Sequence, residues 1–555
     1  MFKANPAQTY VPAKSQTIKP EAQVDYGRNS KNDPNQIRFL IPQYLGFIDP
    51  RETYLKYNFQ MQGRGQYKPD FRAGFHSTIR DFRIQDGTGS ATLEEVQDYN
   101  VLVANWWEYT ANRSINDKRD LMEGRSKTTD PTAQLFFGDK PNWAGASTTI
   151  SYDRKTIEAL HPLYSGILGG DKVFPVVATQ GLRLTMNLDL LNRSIIDTAD
   201  GFGDEAADRF VQLKNALSAN DHQKADADSQ FNIVVKQPSD APSGRGVNRN
   251  ATPSDNNPFD IGDILYTSNV NTGANEEELG VIVGFTKDAS GDLQINFIPN
   301  RAVGAGLTAA HSEDSRIFYK KADRQKVNTF ANVPAANVQN NVPVGYTISD
   351  LEMVCSVVSP PAEYVSKMVK QISSSQGMSL DIKTYTNYRV NLTTKNGLTN
   401  QLIPATQQRA YSILSVPLSN ELQNNIQVSS FQGDTTGQQD YQYVYGGALI
   451  PDRPVQLQRY TQAVPKTEAL HLIELEKALV NCGYIVRNLQ QVPERFLIGR
   501  GFSKYGQVFN LMPRDLSLRV SYDGVGADDS EKLYDHFVCA LRRIQISPQG
   551  VQVMF

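Results

Sequence analysis

His471 and Glu474 come nearest, in this 555-residue chain, to a metal-ligating pair: one helical turn apart, an imidazole and a carboxylate can share a cation. The same spacing also suits the exposed polar face of a helix. Asp523, Asp528, Asp529 and Glu531 gather oxygen ligands of the kind calcium takes, but without the alternating positions of an EF-hand, so a solvated turn accounts for them. The six histidines, His76, His161, His222, His311, His471 and His536, stand singly, and their spacing proposes no triad or metal set. The carboxylate pairs of glycoside hydrolysis meet only in three dimensions, and nothing in the sequence selects one. GxxxxGK[ST], HExxH and GxSxG do not occur; Gly63-Arg64-Gly65 and Gly244-Arg245-Gly246 lack a strand-to-helix setting. The expectation is a chain with no catalytic, cofactor-binding or metal residue to name, and not an enzyme.

Composition narrows the class further. With 39% hydrophobic and 21% charged residues the chain has enough apolar material for more than one core. A formal net charge of -3 supplies no global positive field for nucleic acid or an anionic membrane, so sequence-specific nucleic-acid binding is not expected. Cys355, Cys482 and Cys539 each lie inside an apolar segment and read as buried thiols of a reducing compartment. The N-terminal segment has no apolar run after its first lysine, and no stretch of about 18 apolar residues occurs. Neither a signal peptide nor a membrane span is expected. The sequons at Asn112, Asn192, Asn250 and Asn391 are what chance gives in an Asn-rich chain.

The elements that would position any site are mostly strands. Residues 1–35 are polar and punctuated by Pro6, Pro12, Pro20 and Pro34, which predicts an arm rather than a packed element. From Gln36 short apolar or alternating runs follow: 37–48, 52–63, 71–84, 147–153 and 161–191. In the last of these Leu182, Leu184, Met186 and Leu188 alternate with Arg183, Thr185, Asn187 and Asp189, a half-buried strand. Thr92 followed by Glu95 has the form of a capping box and predicts a helix over 92–110 that carries Trp106 and Trp107. Residues 200–342 are acidic and rich in Asn, Asp, Gly and Ser, an exposed insertion with strand candidates at 231–235, 264–268, 280–286 and 293–299. The strand YTISDLEMVCSVV (346–358), a helix over 362–372 and a second β-rich half follow. That half has strands at 380–392, 408–418, 441–451, 455–461, 509–513, 516–524 and 536–555, and a helix over 467–483 with Thr467 as N-cap and Gly483 as stop. The division expected is an arm (1–35), a first module (36–358), a linker helix (359–375) and a second module (376–555). The fold class is all-β with a few helices, as two antiparallel sandwiches.

The runs IRFLIPQYLGFIDPRETYLKYNFQM (37–61), LYSGILGGDKVFPVVATQGLRLTMNLDL (163–190), YTISDLEMVCSVV (346–358) and ALIPDRPVQLQRY (448–460) together resemble the double jelly-roll major capsid proteins of polinton-like viruses and virophages, and more distantly adenovirus hexon. The resemblance runs in order from about residue 36 to the end; 200–342 matches only as a variable insertion. It implies two consecutive jelly rolls, a homotrimer forming a pseudo-hexagonal capsomer, an icosahedral capsid and a virion location. Its implied partners are further copies of itself, penton and minor capsid or cement proteins, and an internal membrane or genome layer reached by the N-terminal arm. Trp106, Trp107 and Trp143 would then be candidates for trimer contacts. A carbohydrate-active or lectin-like β-sandwich is the alternative, and it requires an aromatic groove holding two carboxylates.

Overall fold

The computed structural model describes residues 11–28, 35–62, 67–110, 122–124, 140–142, 151–153, 156–170, 172–197, 210–226, 229–237, 239–241, 259, 264–269, 275–319, 345–374, 376–392, 396–419, 429–434, 437–457, 469–483, 486, 496–502, 507–523 and 532–554. The first unit contains β1 (Val11–Ile18), β2 (Tyr26–Arg28), β3 (Gln36–Ile41), β4 (Phe47–Gln62), β5 (Tyr67–Pro69), β6 (Ile79–Asp86), β7 (Thr92–Val96), α1 (Tyr99–Thr110), β8 (Lys140–Asn142), β9 (Ser151–Asp153), β10 (Thr156–His161), β11 (Phe174–Pro175), β12 (Leu182–Leu188) and β13 (Ile195–Asp197). It is completed, after an insertion, by β20 (Gly345–Ser359). The insertion holds β14 (Val211–Gln212), β15 (Phe231–Val234), β16 (Ile264–Ser268), β17 (Glu277–Lys287), β18 (Leu293–Ile298) and β19 (Arg316–Tyr319). Helix α2 (Ala362–Ile372) leads to the second unit: β21 (Met378–Leu392), β22 (Asn396–Ile403), β23 (Ala410–Ser419), β24 (Gln438–Tyr445), β25 (Ala448–Gln456), α3 (Ala469–Asn481), β26 (Ile498–Gly501), β27 (Leu516–Asp523), β28 (Lys532–Ser547) and β29 (Gly550–Met554).

Strand order identifies both units. Letter the principal strands B to I in chain order. In the second unit β21, β22, β23, β24, β25, β26, β27 and β28 then form one sheet B-I-D-G and one sheet C-H-E-F. In the first unit β1 with β2 serves as B, and β3, β4, β6, β7, β10, β12 and β20 complete the same two sheets. Every pairing among these strands is antiparallel, and the chain alternates between sheets as two interlocked Greek keys do. Each unit is a jelly roll. The second buries Ile413, Tyr441, Tyr443, Leu516, Leu518, Val520 and Val538 between its sheets.

An antiparallel sandwich sends alternate connections to opposite ends. Connections B–C, D–E, F–G and H–I lie at one end, and C–D, E–F and G–H at the other. Contacts bear this out: Arg28, at the end of B, bonds the carbonyls of Leu188 and Asp189 at the end of H. At the opposite end Val177 N donates to Gly46 O, and Gly87 N to Thr179 O. The insertion therefore springs from the H–I connection. It forms its own six-stranded sheet, β14-β19-β16-β17-β18-β15. Its edges also meet: Leu213 bridges Val235, Lys214 N donates to Val234 O at 2.8 Å and Lys236 N to Gln212 O at 2.8 Å. The sheet closes into a small barrel, which leaves no free edge, around Leu265, Ile282, Phe297 and Ile317.

Several sequence expectations are corrected. Residues 11–28 were expected in an unpacked arm, yet Lys14–Ile18 pair with Val357–Met353 and Tyr26–Arg28 with Ile348–Tyr346. Pro12 falls at the register shift between the Val11 and Lys14 pairings, and Pro20 lies between the two paired segments. The expected helix over 92–110 begins only at Tyr99; Thr92–Val96 pairs with β6, and Asp98, with φ 49°, breaks the chain direction between strand and helix. The strand expected over 71–84 is confined to Ile79–Asp86, after a short 3-10 turn at Gly74–Thr78. The run 441–451 is a hairpin turning at Gly446-Gly447. Residues 509–513 contribute only an isolated bridge, Ala410 with Phe509.

Candidate assembly site at the junction of the two sandwiches

One hydrophobic cluster runs from the first sandwich into the second, joining Leu93, Val96, Leu102 and Ile167 to Tyr385, Leu414, Val416 and Phe431. The first sandwich presents its F strand, β7, and the G–H connection; the second presents its B strand, β21. At the centre lies Glu94, 1% exposed. Its Oε1 accepts from Gly166 N at 2.7 Å and from Thr384 Oγ1 at 2.8 Å; its Oε2 accepts from Ser165 Oγ at 2.5 Å and Ile167 N at 3.2 Å. A carboxylate with so many donors is a satisfied buried charge, and it ties three segments from two sandwiches. Arg542 of β28 reaches across to donate to Leu93 O at 3.1 Å. Burial lowers its guanidinium pKa, opposed by the Glu94 and Glu95 charges.

Close backbone approach adds to this. A Cβ on Gly166 would stand 2.2 Å from the carbonyl oxygen of Lys383 in β21, so no other residue fits without moving the sandwiches apart. At the wide-loop end Asp98 Oδ1 pairs with Arg389 at 2.7 Å, and Asn387 donates to Asp98 Oδ2 at 3.0 Å. Arg389 also forks onto Asp535 with two bonds of 2.8 Å. Arg193 lies 3.8 Å from Asp98 and 3.5 Å from Asp189. Burial and the Asp535 charge outweigh these guanidinium groups and hold Asp98 up at about 6. Asn105 of α1 donates to Phe431 O at 3.2 Å.

The order of these contacts fixes orientation. Ascending β7 from Leu93 through Glu94 to Asp98 meets Arg542, paired with Ile382, then Thr384, then Arg389. The two sandwiches stand side by side with the same end up. Their D–E, F–G and H–I connections therefore share one face of the molecule.

The residues singled out from sequence fall elsewhere. His471 is buried, not on a polar surface; its Nε2 bonds Leu497 O at 3.0 Å, and burial lowers its pKa to about 4. Glu474 is buried too and pairs with Lys477 at 2.9 Å and with Arg500. The helical stripe places both toward the sheet, so neither the metal pair nor the exposed face holds. Among the described residues no group of three or more His, Cys, Asp and Glu is arranged to hold a metal. Asp528, Asp529, Glu531, Thr467, Trp143 and the side chains of Trp106 and Trp107 lie outside the described residues. The three cysteines are buried free thiols. No described helix is long and apolar enough to cross a membrane.

No family model matches the chain, and no curated protein matches its sequence. Solved structures similar to it include the PBCV-1 virus capsid, at 6% identity and TM-score 0.47 over 100% of this chain and 99% of that one. The Faustovirus major capsid protein matches at 8% and 0.47 over 99% and 93%, and the Sputnik virophage at 9% and 0.43 over 100% and 91%. The jelly-roll assignment stands on the strand order of the chain itself.

Proposed function

We propose that the chain is a viral major capsid protein, a structural subunit of the virion shell and not an enzyme. The observation that carries this reading is the pair of B-to-I jelly rolls locked side by side, same end up, through Glu94, Gly166 and the Asp98–Arg389–Asp535 cluster. Three such chains place six similar modules around a threefold axis, which makes a near-hexagonal tile from an odd number of copies. Sequence resemblance to the polinton-like and virophage type supports the same reading.

In this reading the residues before β21 divide into a first jelly roll, its H–I barrel and the α2 linker, and the second jelly roll runs from Met378. The face bearing the long connections is outermost, where a closed barrel is a suitable exposed module. The short-turn end, where β1 begins, faces inward, and the segment preceding β1 contacts neighbouring capsomers, minor capsid proteins or an internal layer. Light scattering on the purified chain tests the proposal: a mass of three chains, held until unfolding, is expected, and a monodisperse monomer at micromolar concentration refutes it.

A further inference from the structure

Two of the three cysteines meet on the second sandwich. Tyr385 of β21, Cys539 of β28 and Ser412 of β23 are register partners in one row across the B-I-D-G sheet, so their side chains share a face. Ile413 and Val538, the adjacent pair, belong to the core between the sheets, which puts the row on the outer face. Helix α3 lies over that face, burying Leu475, Ala478 and Leu479, and delivers Cys482 just past its last turn. There Cys482 Sγ lies 2.8 Å from Ser412 Oγ and is hydrogen-bonded to Cys539. Lys383 Nζ sits at the same helix end, donating to Asn481 O at 3.5 Å and lying 4.6 Å from the centre of the Tyr411 ring. These surroundings treat the two thiols unequally. Burial would raise Cys482, but hydrogen bonds from Cys539, Ser412 and Tyr385 and the Lys383 charge outweigh it and hold this thiol below its ordinary value. The hydrogen bond to Cys482, followed by burial, pushes Cys539 well up. Cys355, in the first sandwich, is pushed up to about 12 by burial.

We infer that Cys482 and Cys539 form a redox pair that hydrogen peroxide closes into a disulfide, fastening the end of α3 to β28. The pair lies within the second sandwich and does not depend on the capsid reading. Cys482, 6% exposed and next to the exposed Gly483, is the sulfur that a small oxidant reaches, whereas Cys539 is fully buried behind it. A thiolate is the attacking species and a protonated neighbour resolves it, which is the division of roles the two environments set. The Cys482 thiolate attacks one peroxide oxygen: an S–O bond forms, the O–O bond breaks, and the departing hydroxide takes up a solvent proton as water, leaving a sulfenic acid. The Cys539 sulfur then displaces that hydroxyl from Cys482, and the hydroxyl leaves with the Cys539 proton as a second water. Together the two thiols lose two electrons and the peroxide gains them. A small dithiol reverses the change by exchange. Arg542, which reaches Leu93 O in the first sandwich, stands on the same strand, so the bridge fastens a strand that both sandwiches use.

Treating the full-length protein with hydrogen peroxide, then unfolding it in an alkylating agent, tests the pair. Peptide mapping is expected to show Cys482 joined to Cys539 and Cys355 alone alkylated, with dithiothreitol restoring all three thiols. The melting temperature should rise on oxidation and return on reduction. In Cys539→Ser the attacking sulfur has no resolving partner, so dimedone should label Cys482 as a sulfenic acid and the melt should not rise. Three alkylated thiols after peroxide, a bridge that includes Cys355, or Cys482 carried to the sulfinic acid without a bridge overturns the redox pair. A Cys482–Cys539 bridge that leaves the melting temperature unchanged overturns the fastening of α3. Mapping of the wild-type protein decides the matter even where the serine variant does not fold.

Discussion

The two sandwiches share eight strands in one order and differ in what hangs between them. In the first, the D–E, F–G and H–I connections include α1, two short pairings and an entire barrel; in the second the H–I connection spans only from Asp523 to Lys532. At the opposite end the E–F turns are short in both, Gly87–Ala91 and Gly446-Gly447. The largest insertion, the barrel, sits on the H–I connection, at the end away from these turns. Framework and elaboration are separable in this molecule: the barrel keeps a core of its own, whereas the junction that makes the two halves one object draws on β7, β21 and the G–H connection.

The strongest way to break that unity is Glu94→Ala. It strands the donors of Gly166, Ile167, Ser165 and Thr384, a loss of about 3–5 kcal/mol of the kind seen when one member of a buried charged network is removed. Urea unfolding should show the midpoint fall sharply, and a midpoint within error of wild type would remove Glu94 from the junction. Gly166→Ala comes next: the added Cβ collides with Lys383 O, and overpacking of this kind costs about 1–3 kcal/mol. Its thermal melt should separate into two transitions as the sandwiches uncouple, where wild type shows one.

A weaker lever is pH. Asp98 has its folded pKa raised from 3.8 to about 6, so the folded state binds that proton more tightly than the unfolded chain. The resulting stability is full below the ordinary carboxylate range and is lost as pH rises through about 6. Asp49, Asp86 and Asp381 are shifted the other way, the first and last chiefly by hydrogen bonds from arginine, and lose their contribution only as pH falls through their lowered values. Melting temperature should therefore rise from pH 7 toward pH 5, and Asp98→Asn should flatten that slope; an unchanged slope in the variant would assign it to another group. The smallest effect is expected from replacing residues 198–344 with a short glycine-serine linker. Asp189 and Tyr346 both lie beside Arg28, so the ends are close, and the barrel core is separate from that of the sandwiches. Retention of the wild-type strand signature in circular dichroism, with a melt lowered by only a few degrees, is the expected outcome.

Much of this framework was legible in the sequence, and the failures have physical causes. Residues 182–188 alternate without exception and form β12 with one face buried. Helix α2 falls on 362–372 as its pattern predicts. β22 escaped because its apolar residues point the wrong way: Leu398 and Leu402 are exposed while Thr399 and Gln401 are buried. β7 read as a helix because a strand covered on both faces loses its alternation, and the residues that cover it belong to the other sandwich. The junction itself was invisible for the same reason. Glu94 meets Gly166 and Thr384, 72 and 290 positions away, and nothing local distinguishes it from Glu95 beside it. Candidate metal ligands failed in the opposite sense, since the spacing of His471 and Glu474 was correct for one helix face but that face is turned inward.

Electron microscopy of the purified protein decides whether it is a capsid subunit. A trimeric shell subunit gives a threefold particle with six sandwich-sized densities in a near-hexagonal ring at one end and three barrels projecting from the other. A particle of two sandwiches and one barrel, with no symmetry axis, would contradict it.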